Sequence, residues 1–486
     1  RHPGWQPEID RKTLATYFRF GYVPAPFSIY RGIQKLPPGE ILTFDCQGKL
    51  DVRPYWSLSE VAEQGQACRL GLSDQESMDH LESLLLDAVG RVMVADVPIG
   101  AFLSGGIDSS TVVALMQRQS TRNVKTFSIG FSESSYDEAS HARAVATHLG
   151  TDHTELHVSP TDAMRAIPKL PHVYDEPFAD PSQIPTLLLC ELTSRHVVVA
   201  LSGDGGDELF GGYPRYLMAS SLWRQLARVP KPARSVAAAT LDAVSPTAWT
   251  NLFSMLPQRF APRLAGDKAH KLSRMLRGAP DDFYSILSSQ WDDPTDIVVG
   301  AAEHCNALSY AGSAALVPGK IERMQFLDTL SYLPDDILTK VDRASMSVGL
   351  EARVPLLDHR VVEFSWKLPV HLKVRYGQGK WLLRQVLHRY LPSEMIQRPK
   401  MGFGVPIDRW LRGPLREWAE PLLDQARLRR EGWLNPEPIR NRWSQHLEGR
   451  RNWQSSLWCV LMFEAWLEQE NASSAGVKHL CLPYQP

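Results

Sequence analysis

The sequence predicts an α/β protein, a parallel sheet with helices on its faces. Two observations carry this: strand-like and helix-like segments alternate between residues 97 and 201, and two of the strand-like runs end in loops rich in Gly, Ser and Asp. Residues 97–103 have the character of a buried strand, and residues 109–119 follow as a helix whose Val112, Val113, Leu115 and Met116 leave almost no polar face. Residues 124–131 read as a second strand, and 135–149 as a second helix with Ala142, Val145, Ala146 and Leu149 along one side. A third strand is expected at 152–158 and another at 196–201. Such alternation argues parallel pairing, with ligands gathered beyond the carboxyl ends of the strands.

Outside that core the signals are plainer. Residues 14–55 read as short and β-rich, with turns at Pro24-Ala25-Pro26, Pro37-Pro38-Gly39 and Gln47-Gly48 and a hairpin formed by 40–44 and 50–55. Residues 57–74 are polar and irregular enough to be a linker. The stretch 216–321 is mostly helical and carries no readable motif. Residues 411–470 are helix-like, with Trp418, Leu422, Leu423, Trp443, Trp458 and Trp466 expected in a core.

The 486 residues suffice for about three domains. A net charge of -1 gives no basic field, so no nucleic-acid partner is expected, and Arg427, Arg429, Arg430, Arg440, Arg442, Arg450 and Arg451 read as a solvated helix face. Cys46, Cys68, Cys190, Cys305, Cys459 and Cys481 form no Cys-x-x-Cys pair, which points to reduced thiols in a cytoplasmic protein. No bilayer-length apolar run and no signal peptide is present, so no membrane partner is expected either. The first residue is Arg1, which suggests a chain whose beginning is missing.

The first loop, Ser104-Gly105-Gly106-Ile107-Asp108-Ser109-Ser110, aims backbone N–H groups and a helix start at one point, an arrangement suited to pyrophosphate. Asp108 would repel a phosphate unless Mg²⁺ lay between them. A simple Gly/Ser helix cap fits the same residues, and no Gly-x-x-x-x-Gly-Lys-[Ser/Thr] occurs anywhere. The second loop, Ser202-Gly203-Asp204-Gly205-Gly206-Asp207-Glu208, sets three acids at the end of a buried strand, where they repel one another unless a cation is near.

The first loop resembles the PP-loop of the N-type ATP pyrophosphatases. Together the two loops resemble those of the asparagine synthetase family, glutamine-hydrolysing class. Further matches are Asp175-Glu176-Pro177-Phe178-Ala179-Asp180-Pro181-Ser182, Asp335 to Arg343, Gly349 to Asp358, Gly379-Lys380-Trp381-Leu382-Leu383-Arg384 and Arg398-Pro399-Lys400-Met401-Gly402-Phe403. The resemblance runs from near Tyr17 to about Trp466. Phe20-Gly21-Tyr22-Val23-Pro24 and Gly32 to Gly39 resemble the closing segment of that family's glutaminase domain. It implies a PP-loop ATP pyrophosphatase-like sheet with flanking helices, preceded by the β-rich end of an incomplete N-terminal-nucleophile glutaminase domain. The division is 1–68 as glutaminase remnant, 69–75 as linker and 76–486 as synthetase domain. Cys46, the first cysteine, lies inside the chain, so glutamine hydrolysis by an N-terminal thiol is not expected of the chain as written.

What the resemblance implies for chemistry is an ATP-dependent amide ligase that converts the aspartate β-carboxylate to β-aspartyl-AMP and transfers ammonia, drawn from glutamine in the intact protein. Ser104, Gly105, Gly106, Ser109, Ser110 and Ser202 would hold the nucleotide, Phe102, Ile129 and Gly203 would meet adenine and ribose, and Asp108 and Asp207 would hold Mg²⁺. Lys400 would stabilise charge on the α-phosphate, Arg343 would act on the phosphate side, and Asp204 would assist the intermediate and the attack of ammonia. Glu351 and Arg353 would orient the loop from behind. A homodimer is compatible with this picture. Three other readings compete: within the same fold, a related amidotransferase or cyclase acting on another carboxylate, such as a sugar acid of cell-surface polysaccharide assembly or a β-lactam precursor; a PP-loop enzyme acting on tRNA; and a catalytically dead binding or scaffold protein.

Overall fold

The computed structural model describes residues 7–131, 138–226, 228–245, 248–249, 252, 265–278, 282–302, 304, 315–397 and 404–480. Its centre is a five-stranded parallel sheet in the order β5-β4-β3-β6-β7, formed by β3 (Ile99–Phe102), β4 (Lys125–Phe131), β5 (Asp152–Val158), β6 (Val199–Leu201) and β7 (Glu351–Arg353). The register pairs Ala101 with Thr126 on one side and with Leu201 on the other. The four strands expected from sequence are present at nearly the expected places. The fifth, β7, is a three-residue strand too short to leave a periodic signal.

Chain order makes β3 the turning point. From β3 the chain crosses through α4 (Ile107–Gln119) to β4 on one side, and returns much later to β6 on the other. The crevice between the carboxyl ends of β3 and β6 is where a ligand fits in such a sheet. Val112, Val113, Leu115 and Met116 are all buried, as the apolar run predicts. The second flanking helix starts later than expected, at Ala139, and residues 135–137 lie outside the described ones.

The N-terminal region departs from its β-rich reading. Residues Arg11–Phe20 form helix α1: Asp10 accepts hydrogen bonds from the N–H groups of Lys12 and Thr13, Gly21 closes the helix at φ 88°, and Leu14, Ala15, Tyr17 and Phe18 are buried. The hairpin is present as β1 (Glu40–Phe44) and β2 (Leu50–Pro54). The polar stretch 57–74 is not irregular throughout. Helix α2 (Leu58–Ala67) occupies most of it, and Gly65 lies so close to the helix His359–Lys367 that a Cβ would come within 2.6 Å of the Trp366 carbonyl oxygen.

The tryptophan-rich C-terminal helices pack as core, with Trp443, Trp458 and Trp466 each 1 % exposed or less. Arg442 departs from the solvated-face reading: its guanidinium lies 3.5 Å from the Trp291 ring centroid and 4.2 Å from that of Trp453. Among the described residues no helix is long and apolar enough to cross a membrane.

The N-terminal segment is tied to the rest at Asp335, whose Oδ2 accepts the Ala25 N–H at 3.0 Å. Burial raises this carboxyl to about 6 against an ordinary 3.8, although the Ala25 N–H and Lys35 work the other way. The folded state therefore binds the proton more tightly, and stability falls as pH rises from the lower value through the upper one. Asp335→Asn removes that fall. The variant-minus-wild-type difference in unfolding free energy, from urea midpoints, is expected to rise by about 2 kcal/mol between about pH 4 and 7.

Candidate functional site

A cavity of about 630 Å³ opens over the carboxyl ends of β3 and β6. Phe102, Ser104, Gly105, Gly106, Asp108, Ser109, Ser110, Ile129, Ser202, Gly203, Asp204 and Asp207 all line it. The two loops are interlocked by close backbone approach. A Cβ on Gly203 would lie 2.6 Å from Ser109 N and 2.8 Å from the Asp108 carbonyl carbon, so only glycine fits. Gly105 takes φ +69° against the backbone of His141 and Ala142.

The first loop holds its own shape through hydroxyls. Ser104 Oγ and Ser109 Oγ are 3.0 Å apart, the Gly106 N–H donates to Ser104 Oγ at 3.2 Å, and Gly106 caps α4 without a side-chain acceptor. The first N–H groups of a thirteen-residue helix thus face the cavity. Ser110 Oγ is buried in the cavity wall with no hydrogen-bond partner among the described residues, as expected of a donor that serves a ligand.

The acids of the two loops meet at Lys380. Its ammonium forms ion pairs with Asp108 Oδ2 and, at 2.7 Å, with Asp207 Oδ1, and the lysine side chain is 6 % exposed. Burial alone would lower the Lys380 pKa, but the two carboxylates outweigh it and hold the group protonated. Lys380 sits at φ +60° before the helix Trp381–Leu387, its N–H bonding to the Phe210 carbonyl at 2.9 Å. Gly206 and Gly212 leave room beside the acids: a Cβ there would come within 2.3 Å of Asp108 Oδ1 and 2.0 Å of Asp207 Oδ1.

A second cluster lines the other side. Lys340 Nζ donates to Asp180 Oδ2 at 2.7 Å and to Ser182 Oγ at 2.8 Å. Burial would raise the Asp180 carboxyl, yet Lys340 and Ser182 together hold it below the usual range. Asp336, buried beside it, is raised well above by burial and by the Asp180 charge. Asp204 accepts from Ser202 Oγ and is raised, chiefly by burial. Glu208 is pushed up to about 7 by burial and by Asp207, and accepts from the Tyr213 hydroxyl at 2.6 Å.

Three expectations fare differently. Arg343 is not brought to the cavity: its guanidinium is captured by Asp175 at 2.5 Å, with both side chains about half exposed or more. Arg353 is held behind β7 by Glu351 and by the Val92 and Val94 carbonyls. Lys400 lies outside the described residues. The sequence reading gave no role to Lys340, Lys380 or Arg384, all of which line the cavity. The one available signal was the acid repulsion in the second loop, which calls for a cation without saying where in the chain it comes from.

Comparison with known proteins gives two family matches: asparagine synthase over residues 80–468 and a glutamine amidotransferase domain over residues 1–56. The chain belongs to the asparagine synthase family. It is 30% identical over 462 residues to asparagine synthetase [glutamine-hydrolyzing] 1 of Bacillus subtilis, covering 94% of this chain and 69% of that protein. A putative asparagine synthetase [glutamine-hydrolyzing] of Mycobacterium tuberculosis is 32% identical over 473 residues, 95% of this chain and 68% of that protein. The amidase chyE of Penicillium rubens is 25% identical over 451 residues, 84% of this chain and 64% of that protein. This member of the asparagine synthase family is accordingly an amide-forming carbon–nitrogen ligase of the amidotransferase type.

Lys380→Met would remove the ammonium with which both Asp108 and Asp207 pair. The expected loss of stability is about 3–5 kcal/mol near neutral pH, shrinking in acid as the carboxylates protonate. Thermal unfolding at two pH values measures it, and an equal loss at both would contradict the ion-pair account. Gly203→Ala is expected to weaken nucleotide binding by driving the two loops apart, read by titration with AMP.

Proposed function

We propose that the protein adenylates the β-carboxylate of aspartate with ATP and transfers ammonia to the activated acid, giving asparagine, AMP and pyrophosphate, with glutamine as the ammonia source in the intact protein. The observation that carries this reading is the closure of two Gly/Ser/Asp loops over one cavity, with a helix start, an unpaired buried hydroxyl and an ammonium converging there. These groups answer the two demands of the reaction, which are to bring two anions together and to neutralise the charge that develops on phosphate.

Each step assigns work to named residues. The carboxylate oxygen bonds to the α-phosphorus while the bond from that phosphorus to the bridging oxygen breaks, its electron pair leaving with pyrophosphate. Ser104, Gly105, Gly106, Ser109 and Ser110 hold the phosphates through N–H and hydroxyl donors. Phe102, Ile129 and Gly203 border the adenine and ribose. Lys400 is proposed as the cation at the α-phosphate. Asp204 takes a proton from the attacking ammonia, a task matched to a buried carboxyl raised from its usual value.

Asp108 and Asp207 suit Mg²⁺: two hard carboxylates, with glycines where a Cβ would crowd them. Among the described residues no set of three His, Cys, Asp or Glu side chains converges on a metal position, so phosphate and water would supply the remaining ligands. When bound, the ion would offset phosphate charge. Asp180, Ser182, Tyr332, Ile337 and Lys340 line the region assigned to the acid.

Incubation with ATP, Mg²⁺, ammonia and aspartate is expected to yield asparagine with equal AMP and pyrophosphate. Absence of product with aspartate, but AMP formation with another carboxylate, would move the assignment to a different acid. Asp204→Asn is expected to lower kcat with ammonia by about 10²-fold or more while leaving the KM for ATP nearly unchanged. With ammonia expressed as free base, wild-type kcat/KM should rise as the Asp204 carboxyl ionises, and that limb should vanish in the variant.

A further inference from the structure

Arg384 is a charged group of the cavity wall that no step above uses. It lies one turn after Lys380: the Arg384 N–H bonds to the Lys380 carbonyl at 2.8 Å, and both side chains line the cavity. Their circumstances differ. Lys380 is enclosed by two carboxylates, whereas Arg384 donates from Nε to the Gly379 carbonyl at 3.0 Å and from Nη1 to the Ile396 carbonyl at 3.4 Å. No carboxylate pairs with it among the described residues.

A guanidinium carries five N–H donors in a rigid fork, and two backbone carbonyls satisfy only part of them. Leu387, Leu391, Met395 and Ile396 line the same cavity, so water is partly displaced from the cation. Burial accordingly lowers the Arg384 pKa, with Asp108 acting in the opposite sense. A half-buried cation of this kind fits an anion with several oxygens, in a two-pronged arrangement.

We propose that Arg384 binds the terminal phosphates of the nucleotide and, once the bond at the α-phosphorus has broken, the pyrophosphate that leaves. The proposal rests on reading the cavity as an ATP-splitting site. Carbonyl acceptors take the Nε–H and one Nη1–H, and the Nη2 donors have no acceptor among the described residues. The electron pair released to the leaving pyrophosphate raises its charge, so the guanidinium gains more from product than from ATP. Arg384 thereby favours the bond-breaking step and retards pyrophosphate release.

Calorimetric titration of the whole chain with Mg²⁺ present tests this, using ATP, inorganic pyrophosphate and AMP as separate ligands on wild type, Arg384→Gln and Arg384→Lys. Arg384→Gln is expected to weaken ATP and pyrophosphate by about tenfold or more, with AMP within about twofold of wild type. Arg384→Lys, which keeps the charge without the fork, should fall between. Unchanged pyrophosphate affinity in Arg384→Gln overturns the proposal, as does an equal loss for AMP and pyrophosphate, which marks a purely structural role. Wild type that binds neither ATP nor pyrophosphate overturns the ATP-splitting reading as well, so the two failures are separable.

Discussion

Asp108 and Asp207 each stand in the first turn of a helix that follows a strand of the central sheet, and the ammonium of Lys380 is what allows both carboxylates to face one small volume. Three pieces of chain that are remote in sequence are joined by this one charge. The left-handed backbone of Lys380, the close approach of Gly379 to Gly211 and the hydrogen bond to Phe210 all serve to place it. Removing a partner from a buried ion pair is far more costly than never having had the pair, so the loops and the lysine depend on one another.

The two ends of the cavity are built on opposite electrostatic plans. At the end formed by the two loops, N–H groups and hydroxyls offer donors to an anion, with the Lys380 ammonium behind them. At the other end, Asp180 and Lys340 cancel each other's charge, and the Asp336 carboxyl is raised by burial and by the Asp180 charge. A compensated ion pair of this type can orient a polar ligand through hydrogen bonds without adding net charge.

The central strands and both loops were legible because their signals are local: apolar runs, turn residues and glycines adjacent in sequence. Helix α1 was hidden by its aromatic residues, which read as β-formers until Asp10 and Gly21 are seen as caps. Helix α2 was hidden by polarity, since only Leu58, Ala62 and Gly65 face the interior. Lys380 escaped notice as a site residue because its partner Asp108 is 272 residues away, and an ion pair of that span leaves no periodicity behind. Arg343 misled because its residue type suits phosphate, while its actual partner, Asp175, is set by tertiary folding. Lys340, three residues earlier on the same short helix, does line the cavity.

The glycine contact between Gly203 and the Asp108–Ser109 backbone has a consequence for how such a site diversifies. Backbone pressed on backbone leaves no side chain to vary, so the half of the cavity formed by the two loops behaves as a single casting whose shape cannot be tuned piecemeal. The opposite wall is made of side chains, among them Ser182, Tyr332, Ile337, Val405 and Ile407. Variation in the shape of the cavity is therefore confined to the side-chain wall, while the loop wall stays fixed.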